Sequence, residues 1–529
     1  MHTTPTAHGL EILMVLLLVA ATVGLAIRWV KVPYSIALVI VGLLIGACHI
    51  IQPVAMTPDL ILLVCLPALL FEASWNLNLK ELMRNWVAVV VLAVPGVCIS
   101  MLISGFILHQ TCGIAFPLAL LFGAMTAATD PISVLALFRK LGLNKRLSTV
   151  LEAESLFNDG TAVVLFKLVL ALSLAATTPG IFETSQEFIV TVLGGALCGV
   201  AFGFAGSLAT RYFDDHLLEI TLTALVAYGS FLVGEQLHVS PVIAVLMAGI
   251  VIGNYGSYSH MSASTRIAVN SFWEYAAFLV NSIVFLLIGL QINFASLIAN
   301  GQAIFWGVAG IMVARLIVVY ALCPLINVTQ KANTRISLRW QHLLFWGALR
   351  GSLSMALALS LPLDFPEREK LIVITFGVVL FTLIVPGLTI EPLVKLLNIE
   401  RDEKGHDQVE RLSGLLVAEE NASKHLDLLK QQGTVSDEIF ETLSKEIKTR
   451  SKAIGADLRS LKAHESGKED LAMFKTRLAL LEVRKESLLK LIRDHEVEPW
   501  AVESLLVDID GKLHAMTAEY KMQQEESNG

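Results

Sequence analysis

The sequence predicts an all-α polytopic membrane protein of about 13 transmembrane helices, with inverted repeats and discontinuous helices, followed by a helical cytoplasmic domain. Three observations predict it. Apolar residues make up 55% of the 529-residue chain and gather into blocks of roughly 17–25, the length a helix needs to cross a hydrocarbon core of ~30 Å. Charge is uneven: residues 1–400 carry 19 Lys and Arg and 20 Asp and Glu, while the 129 residues that follow carry 20 and 26. The Lys and Arg of the first part also fall on alternate connections between the apolar blocks, as they do when loops sort by the positive-inside rule.

The first block, Ile12–Ile27, lacks a basic leader and follows Glu11, so span 11–28 reads as a helix and not as a cleaved signal. Spans 33–49 and 58–74 come next. The latter holds Leu-Pro-Ala-Leu-Leu-Phe-Glu at 66–72, which puts Glu72 near its inner end. Span 85–108 has no charged residue. Span 114–138 contains Ala-Thr-Asp-Pro-Ile-Ser at 128–133. Pro131 removes a backbone donor and disfavours helix at Asp130, so this span is expected to open there. Broken helices are tolerated in a bilayer where they line a cavity. Span 149–176 carries Glu-Ser-Leu-Phe-Asn-Asp-Gly at 154–160. Spans 186–210, 217–235 and 239–254 follow. Span 268–291 holds Glu274 and Asn281 two turns apart on one face, where hydrogen bonds between helices are expected. Spans 302–325 and 339–361 bury Arg315 and Arg350, and span 370–396 closes the membrane part.

With the N-terminus outside, the inner loops hold 13 Lys and Arg and the outer loops only Arg368 and Lys370. This puts the C-terminal tail in the cytoplasm, with the chain in the plasma (inner) membrane. An odd number of spans also permits two six-helix units on either side of one linking helix, inserted in opposite senses.

The chemistry concentrates at two carboxylates. Asp130 has polar company in Thr126, Thr129 and Ser133, and Asp159 lies one helical turn from Ser155, as Asn158 does from Glu154. An acid buried in hydrocarbon is costly in its charged form, so it takes up a proton or a small monovalent cation, each excluding the other. If only the loaded forms cross, the outcome is obligate exchange without ATP. Oxygen donors from Asp130, Asp159, Ser155, Asn158 and the Thr129 carbonyl suit a hard alkali ion, whereas the cluster has no Cys or His for a transition metal. A cation channel would share the buried acids but would not need one that resets by protonation. Glu72 is open between an ion-pathway role and a merely interfacial acid. Buried Arg350 and Arg315 want a carboxylate, and Glu154 is the expected structural partner because Asp159 must stay free to titrate. Lys167, two turns beyond Asp159, is expected to lie near the outer water or to snorkel towards it.

Other functions have little support. The net charge of −7 comes mostly from the tail, so nucleic-acid binding is not expected. The six cysteines are scattered through or beside apolar segments without metal-ligand spacing. No nucleophile with a matched base appears in the spans, so an enzyme is not expected, nor is any cofactor beyond the transported ions.

Taken together, Leu66–Glu72, Thr129–Pro131, Glu154–Gly160, Phe272–Gln291 and Gly347–Pro362 resemble the cation:proton antiporter-1 family, the sodium/proton exchangers. The resemblance covers most of residues 10–400. It implies a core domain moving against a dimerisation domain, a homodimer in membrane lipid, and exchange of Na⁺, or of Li⁺ or K⁺, for H⁺ in the service of pH homeostasis. By carry-over, Asp130, Asp159, Ser155, Thr129 and Glu72 bind the cation, Asn158 supports the site, and Glu154 pairs with a core arginine. The pair at 158–159 is Asn-Asp, and one titrating carboxylate there implies a one-for-one, electroneutral cycle. Ala68 stands where the family often has a second proline.

Residues 401–529 show helical periodicity, as at Leu412, Leu415 and Leu416, then Leu426, Leu428 and Leu429, and again from Leu478 to Leu491. Breaks are expected at Gly433–Thr434, Gly467 and Pro499. No nucleotide-binding loop is present, and a regulatory or dimer-stabilising helical module with an unidentified ligand is the expectation.

Overall fold

The computed structural model of the chain describes residues 5–27, 29, 33–48, 60–141, 143, 145–174, 180–212, 215–257, 261–290, 294–329, 335–397, 404–431 and 435–463, with isolated positions between 485 and 512. Arg28, Lys31 and Lys331, the Ser133 side chain, the composition boundary at 398–401, and the tail breaks at Gly433–Thr434, Gly467 and Pro499 lie outside the described residues. The chain divides into two compact units, Met1–Arg401 and Asp402–Gly529. Among the described residues the regular elements are helical.

The first unit opens with α1 (Pro5–Ala26) and α2 (Tyr34–Ala47). A wide π turn over Leu60–Cys65 leads into α3 (Leu66–Asn76). Asn78 then caps α4 (Leu79–Ala93), accepting from the Glu81 N–H at 3.1 Å. Pro95 cannot donate a backbone hydrogen bond, so the helix turns at Val94 and resumes as α5 (Pro95–Cys112). Gly113, at φ +65°, ends it in the left-handed conformation that glycine adopts without a steric penalty. Next come α6 (Phe116–Ala127), α7 (Ile132–Leu141), α8 (Lys145–Leu174) and α9 (Ile181–Ala209).

Asp215 caps α10 (His216–Gln236), and the N–H groups of Leu218 and Leu217 hold its carboxyl below the usual carboxylate range. Ser240 caps α11 (Pro241–Val251), which widens into a second π turn at Ile252–Gly256. The remainder is α12 (Ala263–Leu290), short α13 (Phe294–Ala299), α14 (Gly301–Thr329), α15 (Leu338–Trp346), α16 (Ser352–Leu359) and α17 (Arg368–Leu396).

Among the described residues, 7 helices are long and apolar enough to cross a membrane, and 5 further apolar helices run 10–17 residues. Span 339–361, for which the sequence marked no interruption, is divided in the structure. The chain leaves the helix after Trp346 and re-enters it at Ser352, so this span is two short helices joined by non-helical backbone.

Packing brings the site-bearing helices together. α8 lies against α4 and α6, and it also contacts α11; α14 packs on α5 and α4. Elsewhere α2 and α12 meet backbone to backbone. A Cβ on Gly42 would come within 2.4 Å of the Leu286 carbonyl oxygen, and one on Gly289 within 2.3 Å of that of Val39. Only glycine permits this approach, the usual device where lipid offers helices no hydrophobic drive to associate.

In the second unit, α18 (Lys404–Gln431) packs on α19 (Asp437–Ala463). Lys430 joins their facing ends, reaching Asp437 at 3.2 Å and lying 4.2 Å from the centre of the Phe440 ring.

Candidate functional site

Two interrupted helices meet at their breaks. Between α6 and α7 the chain is non-helical at 128–131, and between α15 and α16 it is non-helical at 348–351. The Asp130 N–H donates to the Leu349 carbonyl at 2.8 Å. Gly351 sits so close that a Cβ there would lie 2.4 Å from Asp130 Oδ2. The second break is itself held by α17, where Thr382 Oγ1 accepts from the Arg350 N–H at 3.1 Å. Backbone groups freed by both breaks are thus partly tied to each other and partly left to line the junction.

α8 presents four polar residues to this junction, the neighbours Glu154 and Ser155 and, one turn on, Asn158 and Asp159. The Asn158 amide grips Thr129 from both ends: Oδ1 accepts from the Thr129 N–H at 3.1 Å, and Nδ2 donates to Thr129 Oγ1 at 2.6 Å. Ser155 Oγ donates to the Thr129 carbonyl. Thr129, Ser155 and Asn158 are buried, and Asp130 and Asp159 are half-buried. Asp159 Oδ1 is sealed from solvent and has no hydrogen-bond partner among the described residues. Asp130, Glu154 and Arg350 all act electrostatically on Asp159. The junction therefore gathers carboxylate, hydroxyl and carbonyl oxygens, a donor set for a hard cation.

The two arginines separate clearly. Arg315, from α14, pairs with Glu154 through two parallel hydrogen bonds, Nη1 to Oε1 at 2.8 Å and Nη2 to Oε2 at 3.0 Å. Its Nε and Nη2 also donate to the Leu344 carbonyl at the end of α15, at 3.1 and 2.9 Å. Arg350 does not take this place. Its Nη1 turns to the Ala348 carbonyl at 3.0 Å, and its buried Nε has no hydrogen-bond partner among the described residues. Planar bidentate geometry explains why a buried carboxylate holds Arg315.

Glu72 stands half-buried on α3, with Oε1 accepting from Asn76 Nδ2 at 2.9 Å. Lys167 is exposed and 4.0 Å from Glu235. The helix–helix hydrogen bonding expected at Glu274 and Asn281 is not the arrangement observed. Glu274 is exposed, and Asn281 Oδ1 is buried without a hydrogen-bond partner among the described residues.

Leu349, Gly351 and Thr382 belong to the site and were not expected from the sequence. The available signal was Gly347 and Gly351 bracketing Ala-Leu-Arg in an apolar run, a weaker mark than Pro131 because glycine permits a break without enforcing one.

Residues 14–396 match the family model described as "Sodium/hydrogen exchanger, transmembrane". The chain is 44% identical to the Na⁺/H⁺ antiporter ApNhaP of Aphanothece halophytica over 398 residues, covering 75% of this chain and 76% of that one. It is 36% identical to the low-affinity Na⁺/H⁺ antiporter NhaS1 of Synechocystis sp. over 96% of this chain and 97% of that one. The fold is similar to the solved structure of the sodium proton antiporter MjNhaP1 from Methanocaldococcus jannaschii, with a TM-score of 0.62 at 21% identity, covering 74% of this chain and all of that one.

Proposed function

The chain belongs to the sodium/hydrogen exchanger family of integral membrane transporters, and from that premise we propose that it exchanges one Na⁺ for one H⁺ by alternating access, the two ions competing at Asp159 and Asp130. Li⁺ or K⁺ is the alternative cargo of the same oxygen cage. The observation that carries this reading is a carboxylate oxygen, Asp159 Oδ1, sealed from water and without a donor among the described residues, at the crossing of two broken helices. An acceptor in that position is satisfied by a proton on the acid or by a cation beside it, and by one at a time.

The surrounding residues divide the work. Ser155 Oγ and the Thr129 carbonyl each retain a lone pair beyond the hydrogen bond they share, enough to replace part of a cation's hydration shell. Asn158 spends its amide on holding Thr129 in place, a supporting role. Glu72 completes the set from α3, which packs against α8. Glu154 and Arg315 neutralise each other, so that Asp159 is left as the acid that titrates.

The breaks also fall at corresponding places. Counted over thirteen proposed crossings, the interrupted helices are the fifth members of two six-helix units flanking α9, as an inverted repeat requires. In this reading the N-terminus is outside, α18 and α19 form a cytoplasmic regulatory module, and two copies make a homodimer in the plasma membrane.

The test is collapse of a preformed ΔpH in proteoliposomes on adding Na⁺, Li⁺ or K⁺ across a pH series. Competition requires the half-saturating cation concentration to rise about tenfold per pH unit on the acid side, because each proton bound removes one cation site. A half-saturation that ignores pH, or an uncoupled cation current, would overturn the reading. Ion exchange driven by membrane potential alone would contradict the one-for-one stoichiometry.

A further inference from the structure

Away from the junction, a cavity of about 600 Å³ opens at the link between α3 and α4, bounded by the π turn after α11 and the start of α12. Its lining is polar, with Asn76, whose amide NH₂ is spent on Glu72, and Ser257 among its groups. Lys80 and Arg266 bring two positive charges, and no carboxylate among the described residues lines it. Two of its asparagines have already spent their oxygens on the protein. Asn78 Oδ1 accepts from the Glu81 N–H at 3.1 Å, and Asn270 Oδ1 accepts from Trp75 Nε1 at 2.5 Å. Each is left with its amide NH₂ as the end still able to bind. The same link carries the first N–H groups of α4, whose dipole adds to the positive field.

From this we infer that the cavity is an anion site for a phosphate group, and that its natural occupant is the headgroup of an anionic lipid or a free phosphate compound. Cations and donor amides converging on one pocket are the chemistry of phosphate recognition, and they would repel the transported cation. The location favours lipid. The pocket lies on the side where Lys and Arg concentrate, and Met83 of α4, which lines it, is 62% exposed, apolar surface for acyl chains. An occupant would join the start of α4, which packs on α8, to α11 and α12. Asn254 already makes that link within the protein, accepting from the Leu79 N–H at 2.9 Å and donating to the Leu77 carbonyl at 2.8 Å. Asn76 of the lining donates to Glu72, so the pocket borders the proposed cation set, and its test therefore reads binding and stability and not transport.

The full-length protein in non-ionic detergent is melted while cardiolipin, phosphatidylglycerol, phosphatidylcholine or inorganic phosphate is titrated in. The anionic lipids are expected to raise Tm and phosphatidylcholine is not. Lys80→Gln with Arg266→Gln should raise the half-saturating lipid concentration about tenfold, and Lys80→Arg with Arg266→Lys should restore most of the affinity. Full stabilisation by inorganic phosphate alone, lost in the same double variant, supports the site with free phosphate as its source. If the double variant is not recovered, Lys80→Gln, at an exposed position, is read by the number of anionic lipids retained in native mass spectrometry. Equal stabilisation of wild type and charge-removed protein, or none by any anion, would overturn the proposal.

Discussion

Glu154 and Arg315, 161 positions apart in the chain, face each other with two hydrogen bonds of 2.8 and 3.0 Å while their side chains are only 2% and 6% exposed. The pair joins α8, which carries the site, to α14, and through the Leu344 carbonyl to the first half of the broken helix α15–α16. Removing one partner leaves the other charged and unsolvated. Glu154→Gln is therefore expected to destabilise the protein by about 3–5 kcal/mol, read by denaturant titration in detergent. Arg315→Lys should also destabilise it, since an ammonium cannot reproduce the two-pronged contact and reach Leu344 as well.

Asp159→Asn should behave oppositely. It removes the charge of a carboxylate whose Oδ1 has no donor among the described residues, so the variant should melt no lower than wild type while cation-dependent ΔpH collapse is abolished. Retained exchange would remove Asp159 as the proton carrier.

Asn158→Asp tests the supporting role. Nδ2 donates to Thr129 Oγ1 and, at 3.4 Å, to Glu154 Oε1, so an aspartate would turn a donor into a second acid against Glu154. A carboxylate that is repelled when charged costs more stability as it ionises. The loss in Tm relative to wild type should therefore grow as pH rises and shrink as it falls. A pH-independent loss would show that the amide's donor function is not what matters.

Gly351→Ala places a methyl group 2.4 Å from Asp130 Oδ2 and 2.7 Å from its Cβ. The φ of Gly351, −134°, is open to any residue, so the effect is steric. Exchange should fall by about tenfold or more if Asp130 binds the ion as proposed, as displacing such a carboxylate by about an ångström is enough to spoil its geometry. Unchanged transport would mean that the two breaks move apart without cost.

Lys167→Gln makes the contrasting case. Its pairing with Glu235 is long, at 4.0 Å, and both side chains are about half exposed. Loss of the pair should change stability by less than about 1 kcal/mol, with the difference vanishing in high salt.

The sequence was sufficient wherever the cause was local. Helical periodicity places Ser155 and Asp159, and Glu154 and Asn158, one turn apart on α8, and Pro131 interrupts the helix before α7 because a proline cannot donate the missing hydrogen bond. Apolar run length likewise follows from the bilayer's thickness and its demand that each crossing satisfy its own backbone. The second break at 348–351, the choice of Arg315 over Arg350, and the use of the Leu349 carbonyl and Thr382 as partners were decided only in three dimensions. Each depends on groups that are far apart in the chain being brought within hydrogen-bond distance. No spacing rule along the sequence encodes that distance, because it is set by how α8, α14 and α17 pack around the junction.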